Sequence, residues 1–200
     1  MKQDILIAGV GGQGTVLASR LIAAAAMAQG SFVRTAETIG MAQRGGSVVS
    51  HVRIGAEELS PLIPFEKADL IIAFEPAEAA RSLERLAPSG RCIVNTKPIY
   101  PISVTLQGAP YPLTEIQNHI QKQASDSFFL DASAIAQKAG GEKALNIVLL
   151  GAAIGFGLLP ISLEQMADTV AQTVPVRFQE MNERALQAGF AAAQGGREHA

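Results

Sequence analysis

A short apolar run, Asp4 to Ala8, is followed at once by Gly9-Val10-Gly11-Gly12-Gln13-Gly14 and then by an alanine-rich stretch to about Gln29. This order of strand, glycine turn and helix restricts the fold more than any other feature of the chain. The glycines let the backbone turn tightly and come close to a ligand or another chain. The helix they open directs its unpaired N–H groups and the positive end of its dipole back at the turn. Gly30 stops the helix, and Ser31 to Thr35 reads as a second strand. The opening is therefore a βαβ unit, Rossmann-like, and its crossover predicts parallel strands.

The rest of the chain keeps alternating. Val48 to Ile54 reads as a strand, and Ala68 to Phe74 as a strand buried on both faces. Pro76 opens a helix to about Leu86, where its missing N–H costs nothing. Pro88 to Gly90 predicts a turn and Arg91 to Asn95 a strand. Thr96 to Pro112 carries prolines at 98, 101, 110 and 112, which fit an edge strand or loop excursion. A polar helix over Leu113 to Ala124, a strand over Ser127 to Asp131 and a helix over Ala132 to Ala139 follow. Gly140-Gly141 ends that helix, and an apolar helix led by Asn146 comes next. Ser162 with Gln165 makes a capping box for a helix to about Thr173, and a last helix spans about Pro175 to Gln194. The reading is one three-layer α/β/α domain over 1–194 with a mostly parallel sheet and a frayed tail at 195–200.

Composition excludes several classes. Hydrophobic residues are 48% and charged residues 17%. A disordered chain is polar and charge-rich, and a soluble domain averages about 25% charge, so some apolar surface is expected to meet a partner. The net charge of -2 leaves no basic excess for a nucleic-acid backbone. The single cysteine, Cys92, allows no internal disulfide, and no iron–sulfur cluster or cysteine zinc site on this chain alone. Asp4 and the early glycines interrupt what would be a signal's apolar run, which points to the cytoplasm. Ala144 to Ile161 has no charge, but Asn146, three glycines and Pro160 make it a buried core helix rather than a membrane span. Its Gly151 and Gly155 then read as a close helix contact.

Two glycine-rich segments carry the candidate chemistry. Gly9, Gly11, Gly12, Gln13 and Gly14, with the hydroxyl of Thr15, can cradle an anion at a helix N-terminus. Glu37 follows Gly14 by 23 residues, near where a ribose-binding acid would sit. The second segment, Glu37 to Val48, holds Arg44, Gly45, Gly46 and Ser47. Arg44 offers a planar fork to phosphate or carboxylate. In a parallel sheet both segments fall on the carboxyl edge, where ligands bind. Glu75, before Pro76, reads as a helix cap, and Asn146 as either an N-cap or a partner contact. His51 reads as a structural histidine, and Cys92 as a buried inert thiol. Three readings remain open at this point: an enzyme subunit without a redox centre of its own, a self-sufficient NAD(P)- or flavin-binding oxidoreductase, and a docking module.

GVGGQG followed by ETIGMAQRGGSVVSHVRIG resembles the gamma-type domain of the 2-oxoacid:ferredoxin oxidoreductases, most of all the branch acting on indolepyruvate. ADLIIAFEPAEAAR, RCIVNTKPIYP, ALNIVLLGAAIG and NERALQAGF extend the resemblance along nearly the whole chain. Gly140-Gly141 departs from the Gly-Asn pair common in that family, and a changed turn geometry is expected there. The resemblance implies oxidative decarboxylation of indolepyruvate or another arylpyruvate to the acyl-CoA, with ferredoxin taking the electrons. It implies thiamine diphosphate and iron–sulfur clusters on a larger partner subunit. It gives this chain no catalytic residue and no metal. The glycine segments would hold coenzyme A at the interface or brace the partner.

Overall fold

The computed structural model describes residues 2–39, 45–55, 60–100, 110–124 and 126–197. Its strands are β1 (Gln3–Val10), β2 (Val33–Ile39), β3 (Ser47–Ile54), β4 (Ala68–Ala73), β5 (Leu86–Asn95) and β6 (Ser127–Leu130). They form one sheet in the order β2-β3-β1-β4-β5-β6. The helices are α1 (Thr15–Ala28), α2 (Pro76–Ser82), α3 (Leu113–Gln123), α4 (Ala132–Ala139), α5 (Leu145–Gly155), α6 (Leu163–Thr173) and α7 (Val176–Arg197).

Alternate residues of the central strands serve opposite layers, as the pleat requires. Ile5, Ile7, Leu70, Ile72 and Ile93 pack with residues of α1, α4, α5, α6 and α7. Leu6, Ile71, Ala73, Cys92 and Val94 pack with Ala79 of α2, Ile120 of α3 and Ile63. The three-layer α/β/α arrangement and the mostly parallel sheet follow from this two-sided burial: β1, β4, β5 and β6 are successively parallel.

The opening unit differs from the simple crossover. β1 and β2 run in the same direction but do not pair. β3 lies between them, antiparallel to both. Glu37 therefore stands on the edge strand, exposed and opposite Ser50, with a whole strand between it and β1. It cannot meet a ribose bound at the first glycine turn, which removes the main support for a dinucleotide site. β2 also continues to Ile39, past its expected end at Thr35, because β3 offers it a ladder along its length.

Asp4, the acid in an otherwise apolar strand, is explained by the same pairing. It faces Arg53 across the β1–β3 ladder, accepting from Nε at 2.8 Å and Nη2 at 2.7 Å in a buried bidentate pair. Arg53 also donates to the Ser60 carbonyl at 2.9 Å, so neither charge is buried unpaired.

The expected turn at Pro88 to Gly90 is part of β5. A register shift between Ala68 and Leu70 accommodates the proline there. α2 ends at Ser82 and a 3₁₀ turn, Leu83–Arg85, replaces its expected last turn. α7 continues to Arg197, beyond Gln194. Gly140 and Gly141 both take positive φ where α4 ends. Of the proline excursion, 101–109 lies outside the described residues.

Every residue of α5 is buried. A Cβ placed on Gly151 would lie 2.1 Å from the Leu186 carbonyl oxygen, and one on Gly189 2.0 Å from the Val148 carbonyl oxygen. The glycines thus let the backbones of α5 and α7 touch, as the Gly151/Gly155 spacing suggests. Among the described residues no helix is long and apolar enough to cross a membrane.

Candidate functional site at the carboxyl rim

β3 is antiparallel to β1, so its first residue sits beside the last residue of β1: Val10 pairs with Ser47. The two glycine-rich segments consequently meet at one rim, and the Gly11 N–H donates to the Gly46 carbonyl at 2.9 Å. Arg44 lies outside the described residues. Gly45 is exposed with φ of 78°.

The first turn is held from within. Gln13 Oε1 accepts from Val10 N–H at 2.7 Å, and its Nε2 donates to the Phe74 carbonyl at 2.9 Å. Its side chain therefore ties the turn to the end of β4. Gly9 has no room for a side chain, because a Cβ there would lie 2.9 Å from both Gln13 Oε1 and Thr15 Cγ2. Gly14 caps α1 with φ of 84° and no side-chain bond. Asn146 presses on it from α5, donating from Nδ2 to the Gly14 carbonyl at 3.4 Å. Asn146 is only 2% exposed and sits inside the first turn of its helix, so it is a tie to the glycine turn rather than an N-cap. Its Oδ1 is buried without a partner among the described residues.

Thr15 is buried beneath the turn. Ser47 turns its hydroxyl to the other face of the sheet and donates to Glu78 at 2.6 Å. The backbone of Gly11 and Gly12 is left to face outward. Gly12 is exposed with φ of 102°, and none of the described residues lies within 4 Å of a Cβ built on it.

Beside these glycines opens a cleft of about 340 Å³, lined by Gly11–Gln13, Asn95, Lys97, Ile99, Ser133, Glu142, Lys143 and Leu145. Asn95 and Ser133 form its buried floor: Asn95 Nδ2 donates to the Phe74 carbonyl at 3.0 Å and Ser133 Oγ at 3.1 Å. Lys97 and Glu142 pair across the mouth at 2.7 Å. That hydrogen bond raises the Lys97 pKa, so its ammonium stays charged. Lys143 adds a second ammonium. Two cations and a helix N-terminus against one carboxylate make the cleft suited to an anion.

Lys97, Lys143 and Ser133 do not stand out in sequence as site residues. Lys97 and Ser133 follow the ends of parallel strands, so strand polarity would have found them. Lys143 comes to the rim only through the turn before α5. His51 and Cys92 stay out of the site. His51 Nδ1 accepts from the Ile63 N–H at 3.1 Å, and burial, then Arg85 and Arg53, push its pKa down to about 4. Burial pushes the Cys92 thiol up to about 12, so it is no thiolate ligand. Among the described residues no group of three or more His, Cys, Asp and Glu side chains is placed to hold a metal ion.

A mixed α/β sheet with a glycine-lined cleft at its carboxyl rim is the fold and the candidate site of this chain. The chain belongs to the pyruvate ferredoxin/flavodoxin oxidoreductase family, which it matches over residues 4–192. It is 43% identical to indolepyruvate oxidoreductase subunit IorB of Archaeoglobus fulgidus, with 98% of each chain covered. It is 38% identical to the subunit of the same name from Thermococcus kodakarensis, covering 96% of this chain and 97% of that one. The gamma subunit of a keto/oxoacid ferredoxin oxidoreductase from Geobacter sulfurreducens has a similar structure. There the TM-score is 0.70 at 26% identity, with 96% of this chain and 99% of that chain covered.

Proposed function

We propose that this chain is the small subunit of an indolepyruvate:ferredoxin oxidoreductase, inactive by itself, whose carboxyl rim completes the coenzyme A site of a larger subunit. The reaction would join the acyl group of an arylpyruvate to the coenzyme A thiol, release carbon dioxide and pass two electrons to ferredoxin. Full-length identity to the IorB subunits supports the substrate class. The observation that carries the local role is the cleft itself: exposed glycine backbone, a helix N-terminus and two lysines around about 340 Å³. Such a set binds phosphate oxygens through N–H groups and ammonium charge.

Thiamine diphosphate supplies the carbanion chemistry in such enzymes and iron–sulfur clusters carry the electrons. This chain does not fit the clusters, since its one cysteine is sealed in the core. They are assigned to the larger subunit. This chain would position the acyl acceptor by its diphosphate and keep water from the rim. Arg44, with Gly45 and Gly46, is assigned to the same anion or to the partner surface beside it.

The test is reconstitution. Alone, the chain should reduce no acceptor. With the larger subunit it should support arylpyruvate- and coenzyme A-dependent reduction of ferredoxin. Gly12→Ala should raise the KM for coenzyme A roughly tenfold with kcat little changed, the pattern of lost ground-state binding. Tight flavin or NAD on the lone chain, or reduction of an acceptor without a helper, would overturn this reading.

A further inference from the structure

Glu75 closes β4 and is 1% exposed, yet no cation contacts it among the described residues. Its carboxylate instead gathers three donors from three segments. Oε2 accepts from the Glu78 N–H at 3.0 Å, capping α2. Oε1 accepts from the Ile99 N–H at 3.2 Å and from the Tyr111 hydroxyl at 2.5 Å. The same hydroxyl accepts from the Ala77 N–H at 3.0 Å, and the Tyr111 ring lies 5.4 Å from that of Tyr100. A helix cap needs only the first of these bonds. The other two reach residues 24 and 36 positions further along the chain.

Ile99 is a wall of the anion cleft, and Lys97 stands two residues before it. Among the described residues the segment leaving β5 has no ladder partner beyond Thr96, whose N–H donates to the Leu130 carbonyl. Beside the exposed Lys97–Glu142 pair, the bond from Ile99 to Glu75 ties its backbone to the rim. Tyr111 supports that bond from the far side. Burial, and then the bond to Glu75, raises the Tyr111 pKa, so the hydroxyl keeps its proton and remains a donor.

We infer that Glu75 and Tyr111 are positioning residues for the cleft: they hold the Lys97–Ile99 wall at the distance an anionic ligand requires. This rests on the coenzyme A reading above. It goes further by giving a buried pair outside the cleft control over affinity there.

The experiment uses the reconstituted two-subunit enzyme with Tyr111→Phe and Glu75→Gln, and with Gly12→Ala as a control. Tyr111→Phe keeps the ring and the Glu75 cap of α2 but removes the hydroxyl, and with it the bonds to Glu75 and to the Ala77 N–H. It should raise the KM for coenzyme A roughly fivefold while kcat stays within about twofold. Glu75→Gln should raise it further, because its amide nitrogen cannot accept from the donors it faces. A lowered thermal midpoint with KM unchanged in both variants would make Glu75 a helix cap only. If Gly12→Ala raises KM and the other two do not, this inference fails alone. If none of the three moves KM, the coenzyme A reading falls with it.

Discussion

Glycine does opposite work at two places in this molecule. Between α5 and α7, Gly151 and Gly189 are sites where an added Cβ would meet backbone at 2.1 and 2.0 Å. The residue is chosen there for lack of volume, and the space is already filled by the neighbouring helix. At the rim, a Cβ on Gly12 would have none of the described residues within 4 Å, and its φ is 102°. The residue is chosen there for its backbone conformation, and the space beside it is open. One region is closed for packing and the other left open for an occupant. The same amino acid thus marks a core contact and a binding surface, and only its surroundings tell which.

The sharpest way to break this comparison is Gly189→Ala. Backbone cannot yield 1 Å without separating the helices, so the loss should exceed about 3 kcal/mol. That corresponds to a fall of at least roughly 6–12 °C in thermal midpoint for a chain of this size. A loss below about 1 kcal/mol would remove the distinction.

A smaller effect concerns the far face of the sheet. His51 has its pKa lowered from the ordinary 6.5 to about 4. Between those values the unfolded chain binds a proton that the folded chain refuses, so stability falls as pH drops through that window. Between pH 7 and pH 4.5 the loss should be about 2 kcal/mol. Denaturant titrations at pH 7 and pH 4.5 would show it. His51→Gln should flatten the difference, and an unchanged slope would contradict the assignment.

Gly12→Ala should cost only about 1–2 kcal/mol of stability, the strain of a left-handed backbone. Paired with the coenzyme A effect stated above, it separates conformation from volume: the loss stays below that of Gly189→Ala, while ligand binding changes only at Gly12.

The smallest effect is Glu142→Gln at the mouth of the cleft. Both ends of its pair with Lys97 are exposed, so the thermal midpoint should not move. Freed of its partner, Lys97 should lower the KM for coenzyme A roughly twofold at low salt, and the gain should vanish at about 0.5 M salt.

Much of this was legible in the chain. The short apolar runs mark strands buried on both faces, and the capping box at Ser162 and Gln165 appears as expected, with both bonds present. Pro76 opens α2 with Glu75 as its cap. These signals are local: burial period, caps and forbidden φ values act within a few residues. Three things were not local. Placing β3 between β1 and β2 depends on which strand finds a ladder partner, and no residue pattern within a strand encodes that choice. It moved Glu37 away from the first glycine turn and brought Gly46 to Gly11. Asn146 and Lys143 reach the rim from 132 and 129 residues beyond Gly14 only because α5 packs across the sheet.

The residues by themselves determined a three-layer α/β chain with two glycine-rich turns and a buried thiol, because periodicity, glycine and cysteine placement act at short range. The shared rim was expected from strand polarity, but the tertiary structure alone decided that the two turns touch, Gly11 to Gly46, and that lysines from two distant segments flank them. Charge and backbone groups far apart in sequence act together only when folding brings them within a few ångströms.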